Sequence, residues 1–175
     1  KIGQAVQDFS DIFGRDYALD HRGMVDTYKA EDADVVVLAL GSVCGTIRYV
    51  IDEYREKGEK VGLVRPRVYR PFPVNELREI LKGVDAVAVM EKDVSVGYQG
   101  GLAIDLKSAL YHTDVRVPIL DYISGLAGRD VTKDTIRGII EKTKDAAEKS
   151  YKMDFEDEEY WEPLRTEILP EEVDY

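Results

Sequence analysis

The feature that most constrains this chain is the order of its apolar runs between residues 34 and 73. An apolar run over residues 34–40 is followed by a glycine-bracketed turn from Gly41 to Thr46, an amphipathic segment and a second apolar run over residues 61–65. Two strands joined by a helix within about forty residues are typical of a right-handed βαβ unit. The sequence Arg70-Pro71-Phe72-Pro73 closes this stretch.

The rest of the chain continues the same alternation. We predict strands at residues 34–40, 61–65, 86–90 and 117–122, and helices at about 44–57, 74–82, 101–111 and 132–149. Strands separated by helices predict a mostly parallel sheet that is covered on both faces. The predicted fold class is therefore α/β, a three-layer, mostly parallel sheet flanked by helices.

Three segments divide the chain. Residues 1–29 are predicted to form an amphipathic helix that ends at Gly14, followed by an irregular connector. Residues 30–150 form the α/β domain, and residues 151–175 form an acidic, aromatic carboxyl-terminal arm with ten acidic and two basic residues. We expect this arm to dock on the domain or on a neighbouring subunit. Because the chain begins at Lys1, we expect its natural start to lie upstream.

Composition excludes several classes of function. A net charge of −11 does not provide the excess of positive charge that binding to a phosphate backbone requires, so nucleic acid is not an expected partner. Apolar runs fall short of the ~20 residues that span a bilayer. The single cysteine, Cys44, cannot form an internal disulfide, which is typical of a protein of the reducing cytoplasm. Two isolated histidines predict no metal site.

Glycine-rich turns follow three of the predicted strands, at the edge where open parallel sheets bind ligands. The first contains Gly41, Ser42, Gly45 and Thr46, small residues that let an anion approach the backbone. The alternative is a tight strand-to-helix turn capped by Ser42. A loop over residues 95–101 is interpreted either as a ligand loop or as a crossover with glycine at positive φ.

The turn over residues 125–132 ends in a polar helix cap, and its Arg129 is interpreted either as a partner for an anion or as the partner of Asp130 or of a neighbouring residue. Cys44 lies near a helix start, where thiol pKa values fall, but no histidine is near it in sequence, which favours a structural thiol. These residues do not assemble a nucleophile, a base and an oxyanion stabiliser, so no catalytic residue is assigned.

Five basic and aromatic residues are candidates for an interface: Arg65, Arg67, Arg70, Tyr98 and Trp161. The three arginines form an unusually basic stretch within an acidic chain. A subunit contact or an acidic partner would explain them, and a solvated edge of the sheet is the alternative.

These motifs together resemble a known family. Gly41-Ser42 with Gly45-Thr46, Arg70-Pro71-Phe72-Pro73, the loop over residues 97–101 and the stretch from Gly125 to Val131 resemble the alpha subunit of pyruvate:ferredoxin oxidoreductase, in its transketolase carboxyl-terminal-like domain. The resemblance spans residues 6–149. Related alpha subunits act on 2-oxoglutarate or branched-chain 2-oxoacids, so the resemblance leaves the substrate within this group open.

The resemblance implies an enzyme that converts a 2-oxoacid, most simply pyruvate, and coenzyme A into acyl-CoA and CO2 while ferredoxin is reduced. It implies thiamine diphosphate, iron–sulfur clusters and coenzyme A in the parent complex, with none bound by this chain alone. The implied partners are beta, gamma and delta type subunits, and ferredoxin through the complex. The resemblance assigns no catalytic role to any position in 1–175. It implies that the chain is a carboxyl-terminal fragment of the subunit and that its task is subunit assembly.

Two alternatives from other classes stay open. One is a free-standing α/β module that binds a nucleotide or another phosphorylated ligand at the turn from Gly41 to Thr46. The other is a purely structural interaction domain.

Overall fold

The computed structural model describes residues 1–14 and 23–148 and the backbone of residues 160–161. The helices of this part are α1 (Ile2–Phe13), α2 (Val43–Glu56), α3 (Val74–Ile80), α4 (Gly101–Leu110) and α5 (Lys133–Glu148). The strands are β1 (Val25–Tyr28), β2 (Val35–Ala39), β3 (Val61–Pro66), β4 (Ala86–Glu91), β5 (Ile119–Ile123) and β6 (Tyr160–Trp161).

These strands form a sheet in the order β1-β3-β2-β4-β5-β6. The pairing of β1 with β3 is antiparallel, and the other pairings are parallel. Because the chain goes from β2 to β3 on one side and then to β4 on the other, the strand order reverses between β2 and β4. The carboxyl ends of these two strands therefore mark the topological switch point of the sheet.

Both faces of the sheet are covered, which confirms the predicted three-layer α/β fold. Val36 and Leu38 of β2 point into a core that contains side chains of α3 and α4. Val37 and Ala39 point into a second core, with side chains of α2 and α5. A strand buried on both faces needs apolar residues at successive positions, which is why β2 is a continuous apolar run and not an alternating one.

The connector predicted to run to residue 29 is wrong over residues 25–28, which form strand β1 at the edge of the sheet. The segment is only four residues long and contains the charged Asp26, so its pattern does not indicate a strand. Asp26 is tolerated there because it lies opposite Arg65 of β3. The sheet thus gains one antiparallel edge strand.

Helix α1 has the predicted apolar stripe, and much of that stripe is exposed: Ile12 is 74% and Phe13 60% accessible. It ends at Gly14, as predicted, and Gly14 adopts a left-handed backbone conformation. The predicted acidic arm lies outside the described residues, apart from the backbone of Tyr160–Trp161, which adds β6 to the sheet beside β5.

Candidate functional site

A cavity of about 150 Å³ lies at the switch point of the sheet. Its wall is formed by the end of β2, the start of α2 and the ends of β4 and β5, through Leu40, Val43, Met90, Glu91, Lys92 and Ser124. Ser124 is 1% exposed, and its hydroxyl oxygen has no hydrogen-bond partner. Pockets that enclose drug-sized ligands start at roughly 300 Å³, so this cavity is too small for a nucleotide or a coenzyme.

Glu91 of β4 connects the cavity wall to the start of helix α4. Its side chain is buried, and its carboxylate oxygens accept the backbone N–H groups of Leu102 at 2.8 Å and of Ala103 at 2.9 Å. The first N–H groups of a helix have no partners within the helix and carry its positive dipole end. Glu91 therefore caps α4 from a neighbouring strand.

A second carboxylate, Asp121 of β5, caps the same helix end. Its Oδ2 accepts the backbone N–H of Gly100 at 2.8 Å, and its Oδ1 is buried without a hydrogen-bond partner. Lys107 of α4 donates to the side-chain oxygen of Gln99 at 2.8 Å and attracts both carboxylates electrostatically. We call Glu91, Asp121 and Lys107 the carboxylate cluster.

Burial governs the protonation of this cluster. It raises the pKa of Glu91 to about 7, against the opposing effect of the two backbone N–H groups that Glu91 accepts. Burial also raises the pKa of Asp121 and lowers that of Lys107. A buried carboxyl with a pKa near neutrality can hold or release a proton at physiological pH, and such groups occur both in active sites and in structural networks.

The carboxylate cluster is not predictable from the sequence. Its only signal in the sequence is a carboxylate within an otherwise apolar strand: Glu91 ends β4, and Asp121 lies inside β5. The residues around Glu91 and Asp121 in the sequence do not indicate that both side chains reach the start of α4.

The predicted anion turn has a geometry that favours a tight strand-to-helix connection. The N–H groups of Cys44 and Gly45 donate to the carbonyls of Gly41 at 3.4 Å and Ser42 at 3.1 Å, and are thus used within the turn. Ser42 is the first residue before α2, but its side chain makes no capping hydrogen bond. Anion binding at Gly41, Ser42, Gly45 and Thr46 stays a prediction.

Cys44 is buried, and its Sγ lies 3.6 Å from the carbonyl oxygen of Ala39. Burial raises the pKa of this thiol, although Arg65 and Arg48 act in the opposite direction. A nucleophilic cysteine needs a lowered pKa and access to substrate, so the structure favours a structural thiol.

Two of the predicted interface arginines meet at the edge of the sheet. Arg65 and Arg67 form ion pairs with Asp26 at 3.0 and 3.1 Å. Arg48 of α2 joins them, with its NH2 2.6 Å from Oδ2 of Asp26. We call Arg48, Arg65 and Arg67 around Asp26 the arginine cluster. Arg48 and Asp26 are not among the predicted interface residues, because neither is close in sequence to the basic stretch.

The other predicted interface residues lie apart from this cluster. Arg70 forms an ion pair with Asp105 at 2.8 Å and stacks on Tyr69 at 4.2 Å, and Tyr69 donates to the same Asp105 oxygen at 2.6 Å. Tyr98 is 60% exposed. The side chain of Trp161 lies outside the described residues. An interface role for each of these residues stays a prediction.

Within residues 1–14 and 23–148, no three histidine, cysteine, aspartate or glutamate side chains are grouped so as to bind a metal ion. In the same part of the chain, none of the helices is both long and apolar enough to cross a bilayer.

The fold defines the class of the domain. The chain is similar in structure to the 2-oxoglutarate:ferredoxin oxidoreductase from Magnetococcus marinus, which was solved with 2-oxoglutarate, coenzyme A and succinyl-CoA bound. The TM-score is 0.51 at 18% identity, and the match covers 80% of this chain and 23% of the other. A likeness at this identity shows a shared α/β fold.

Sequence comparison then gives the family. The model of the pyruvate:ferredoxin oxidoreductase core domain II matches residues 33–136, and the chain belongs to this family. It is 40% identical over 148 residues to the pyruvate synthase subunit PorA of Methanosarcina barkeri, covering 84% of this chain and 36% of the relative. It is 42% identical over 159 residues to the ketoisovalerate oxidoreductase subunit VorA of Pyrococcus horikoshii, covering 91% of this chain and 39% of the relative. The chain thus spans a little over a third of the length of these relatives.

Proposed function

We propose that this chain is the core domain II of the alpha subunit of a 2-oxoacid:ferredoxin oxidoreductase. In the proposed reaction the complete enzyme oxidises a 2-oxoacid with coenzyme A to acyl-CoA and CO2, and the electrons pass to ferredoxin. The observation that carries this proposal is the family match over residues 33–136. Identities of about 40% to subunits of such oxidoreductases support it.

The domain's own task in this proposal is subunit assembly. Two surface features support it: the exposed apolar stripe of α1, including Ile12 and Phe13, and the arginine cluster at the edge of the sheet. Exposed apolar side chains in a helix stripe are typical of a surface that another protein segment covers. The proposed partners are the beta, gamma and delta type subunits of the same complex, with ferredoxin as acceptor of electrons from the complex, in the cytoplasm.

Pyruvate is the proposed substrate. Relatives named for pyruvate and for ketoisovalerate are 40% and 42% identical to this chain, so identity alone does not separate a short from a branched 2-oxoacid. The choice is open to a direct comparison of substrates by the complete enzyme.

The cofactors of the proposed enzyme are thiamine diphosphate, iron–sulfur clusters and coenzyme A, and we assign them to the parent complex. Iron–sulfur clusters are held by several cysteine thiolates, whereas this chain has the single Cys44, which is buried. The cavity at the switch point is too small for a coenzyme. We therefore derive no step of the reaction from residues of this domain.

The test is reconstitution of the complex. The chain, extended to its full-length parent, is produced together with the other subunits and purified through a tag on the parent. We expect a stable complex that oxidises pyruvate in the presence of coenzyme A faster than it oxidises 2-oxoglutarate or 3-methyl-2-oxobutanoate. A parent protein that purifies alone and without activity would contradict the proposal, and a preference for another 2-oxoacid would correct only the substrate.

A further inference from the structure

We infer that the arginine cluster binds a carboxylate side chain of an acidic segment on another subunit of the complex. The inference rests on the proposed function, and it identifies which residues of this domain make one subunit contact.

The geometry of the cluster is set by a single buried carboxylate. The Asp26 side chain is 8% exposed, and its Oδ2 contacts the NH2 groups of both Arg48 and Arg65, at 2.6 and 3.0 Å. Its other oxygen contacts Arg67 at 3.1 Å. One carboxylate thus holds three guanidinium groups in fixed positions.

Arg48 and Arg65 have binding capacity left over. Each guanidinium carries several N–H donors in a fixed fork, and the buried Nε atoms of both residues have no hydrogen-bond partner. Both share one oxygen of Asp26, so their combined positive charge exceeds the charge that this contact neutralises. A second carboxylate that accepts hydrogen bonds from the exposed N–H groups of the two arginines would neutralise this remaining positive charge.

The cluster is also accessible. The side chains of Arg48 and Arg65 are 38% and 33% exposed, and Arg48 is further supported by the ring of Tyr28, which lies 5.0 Å from its guanidinium carbon. Side chains that are held before binding lose little conformational entropy on binding. In a chain of net charge −11, this concentration of fixed positive charge fits a negatively charged partner.

A protein carboxylate fits this surface better than a small phosphorylated ligand. The cluster lies along the edge formed by β1 and β3, whereas the cavity at the switch point is lined by residues of β2, α2, β4 and β5. An edge of a sheet with partly exposed arginines is suited to an extended protein surface, and planar guanidinium groups match carboxylates in two-point contacts.

The first experiment measures assembly with the full-length parent and its partner subunits. The variants Arg48→Gln and Arg65→Gln each remove one positive charge, and Arg116→Gln removes the same charge at an exposed position that precedes β5. We expect the cluster variants to weaken the affinity of the parent for its partners about tenfold or more. We expect Arg116→Gln to leave it unchanged. Raising the salt from about 0.1 M to about 1 M should weaken the wild-type complex more than the variant complexes, because the wild type has more charge to screen.

The second experiment finds the partner group directly and keeps the charge of the cluster. The variant Arg48→Lys, assembled in the complex, is treated with a carbodiimide, which joins an amine to a carboxylate in contact with it, and the linked peptides are identified by mass spectrometry. We expect a link from position 48 to an aspartate or glutamate of another subunit, and the loss of that link when this carboxylate is replaced by its amide.

The outcomes separate this inference from the proposed function. Suppose that the wild-type complex assembles and is active, that the cluster variants assemble as the control does, and that position 48 links only to Asp26 or to other carboxylates of its own chain. The inference is then overturned, and the proposed function stands. If the wild-type parent does not assemble with other subunits, both fail. A denaturant titration of each variant measures its free energy of unfolding and shows whether weaker assembly results from a loss of folding. Such a loss would also count against the inference.

Discussion

Gly100 lies so close to Glu91 that a Cβ atom at position 100 would be 2.1 Å from Glu91 Oε1. This contact lets the buried carboxylate reach the backbone N–H groups at the start of α4. The φ angle of Gly100 is −65°, so the need for glycine here comes from the close approach and not from backbone conformation.

We predict that Gly100→Ala destabilises the domain by roughly 1–3 kcal/mol, since an added methyl group displaces Glu91 and overpacks its surroundings. The free energy of unfolding in denaturant measures this. Gly138→Ala is the matched control, because its Cβ meets no atom within 4 Å and it lies inside helix α5. Alanine there should stabilise the protein by about 1 kcal/mol. Equal effects of the two substitutions would contradict the account of Gly100.

The raised pKa of Glu91 predicts a particular pH dependence of stability. Burial raises it from 4.5 to about 7, so between these values the folded protein binds more protons than the unfolded chain does. The free energy of unfolding should therefore fall as the pH rises through this window, by up to about 1.4 kcal/mol per pH unit, and the buried Asp121 acts in the same direction.

The variant Glu91→Gln tests this pH dependence, since it removes the titrating group. In this pH window we expect the free energy of unfolding of the variant to depend less on pH than that of the wild type. This expectation holds whether the variant is more or less stable than the wild type at any single pH. Glu79→Gln removes a carboxylate from an exposed position of α3 and is the control. A Glu91→Gln profile parallel to that of the wild type would show that Glu91 does not titrate in this range.

The hydrogen bond from Tyr69 to Asp105 links the loop before α3 to helix α4. Burial and this bond raise the pKa of Tyr69 to about 12. We expect Tyr69→Phe to reduce the free energy of unfolding by about 1–2 kcal/mol, because Asp105 loses a donor. Tyr111→Phe, at a side chain that is 69% exposed, should have little effect. Equal effects of the two variants would argue against a stabilising role for the Tyr69 hydroxyl.

Asp26 should stabilise the fold more than any one arginine of its cluster. The variant Asp26→Asn removes the charge that Arg48, Arg65 and Arg67 share, which leaves like charges together beside a buried amide. We expect a loss of roughly 2–3 kcal/mol in the free energy of unfolding. Asp85→Asn, at an exposed position before β4, is the control. A loss under about 0.5 kcal/mol would mean that the cluster does not depend on Asp26.

The central strands were predictable from the sequence because they are buried on both faces. A run such as Val35 to Leu38 has to be apolar at successive positions, and its pattern remains visible without knowledge of the partners. Strand β1 was not predictable, because its four residues are stabilised by pairing with β3, some forty positions further along the chain.

The same reasoning explains which parts of the candidate site were missed. The sequence of the glycine loop over residues 95–101 is compatible with a ligand loop and with a crossover that has glycine at positive φ. Gly97 does have a φ of +73°. Gly100 instead makes room for Glu91, and this depends on where β4 and α4 meet in space. Likewise, Arg65 and Arg67 are visible as a basic stretch, but their common partner Asp26 comes from a distant strand.

The most direct test of the central claim compares the 175-residue chain alone with the assembled complex of its full-length parent. Both are assayed for pyruvate oxidation with coenzyme A and with ferredoxin as electron acceptor. If this chain is one domain of a larger oxidoreductase, the complex should reduce ferredoxin only when pyruvate and coenzyme A are both present, and the chain alone should show no turnover. Turnover by the chain alone, or an assembled complex without this activity, would contradict the account.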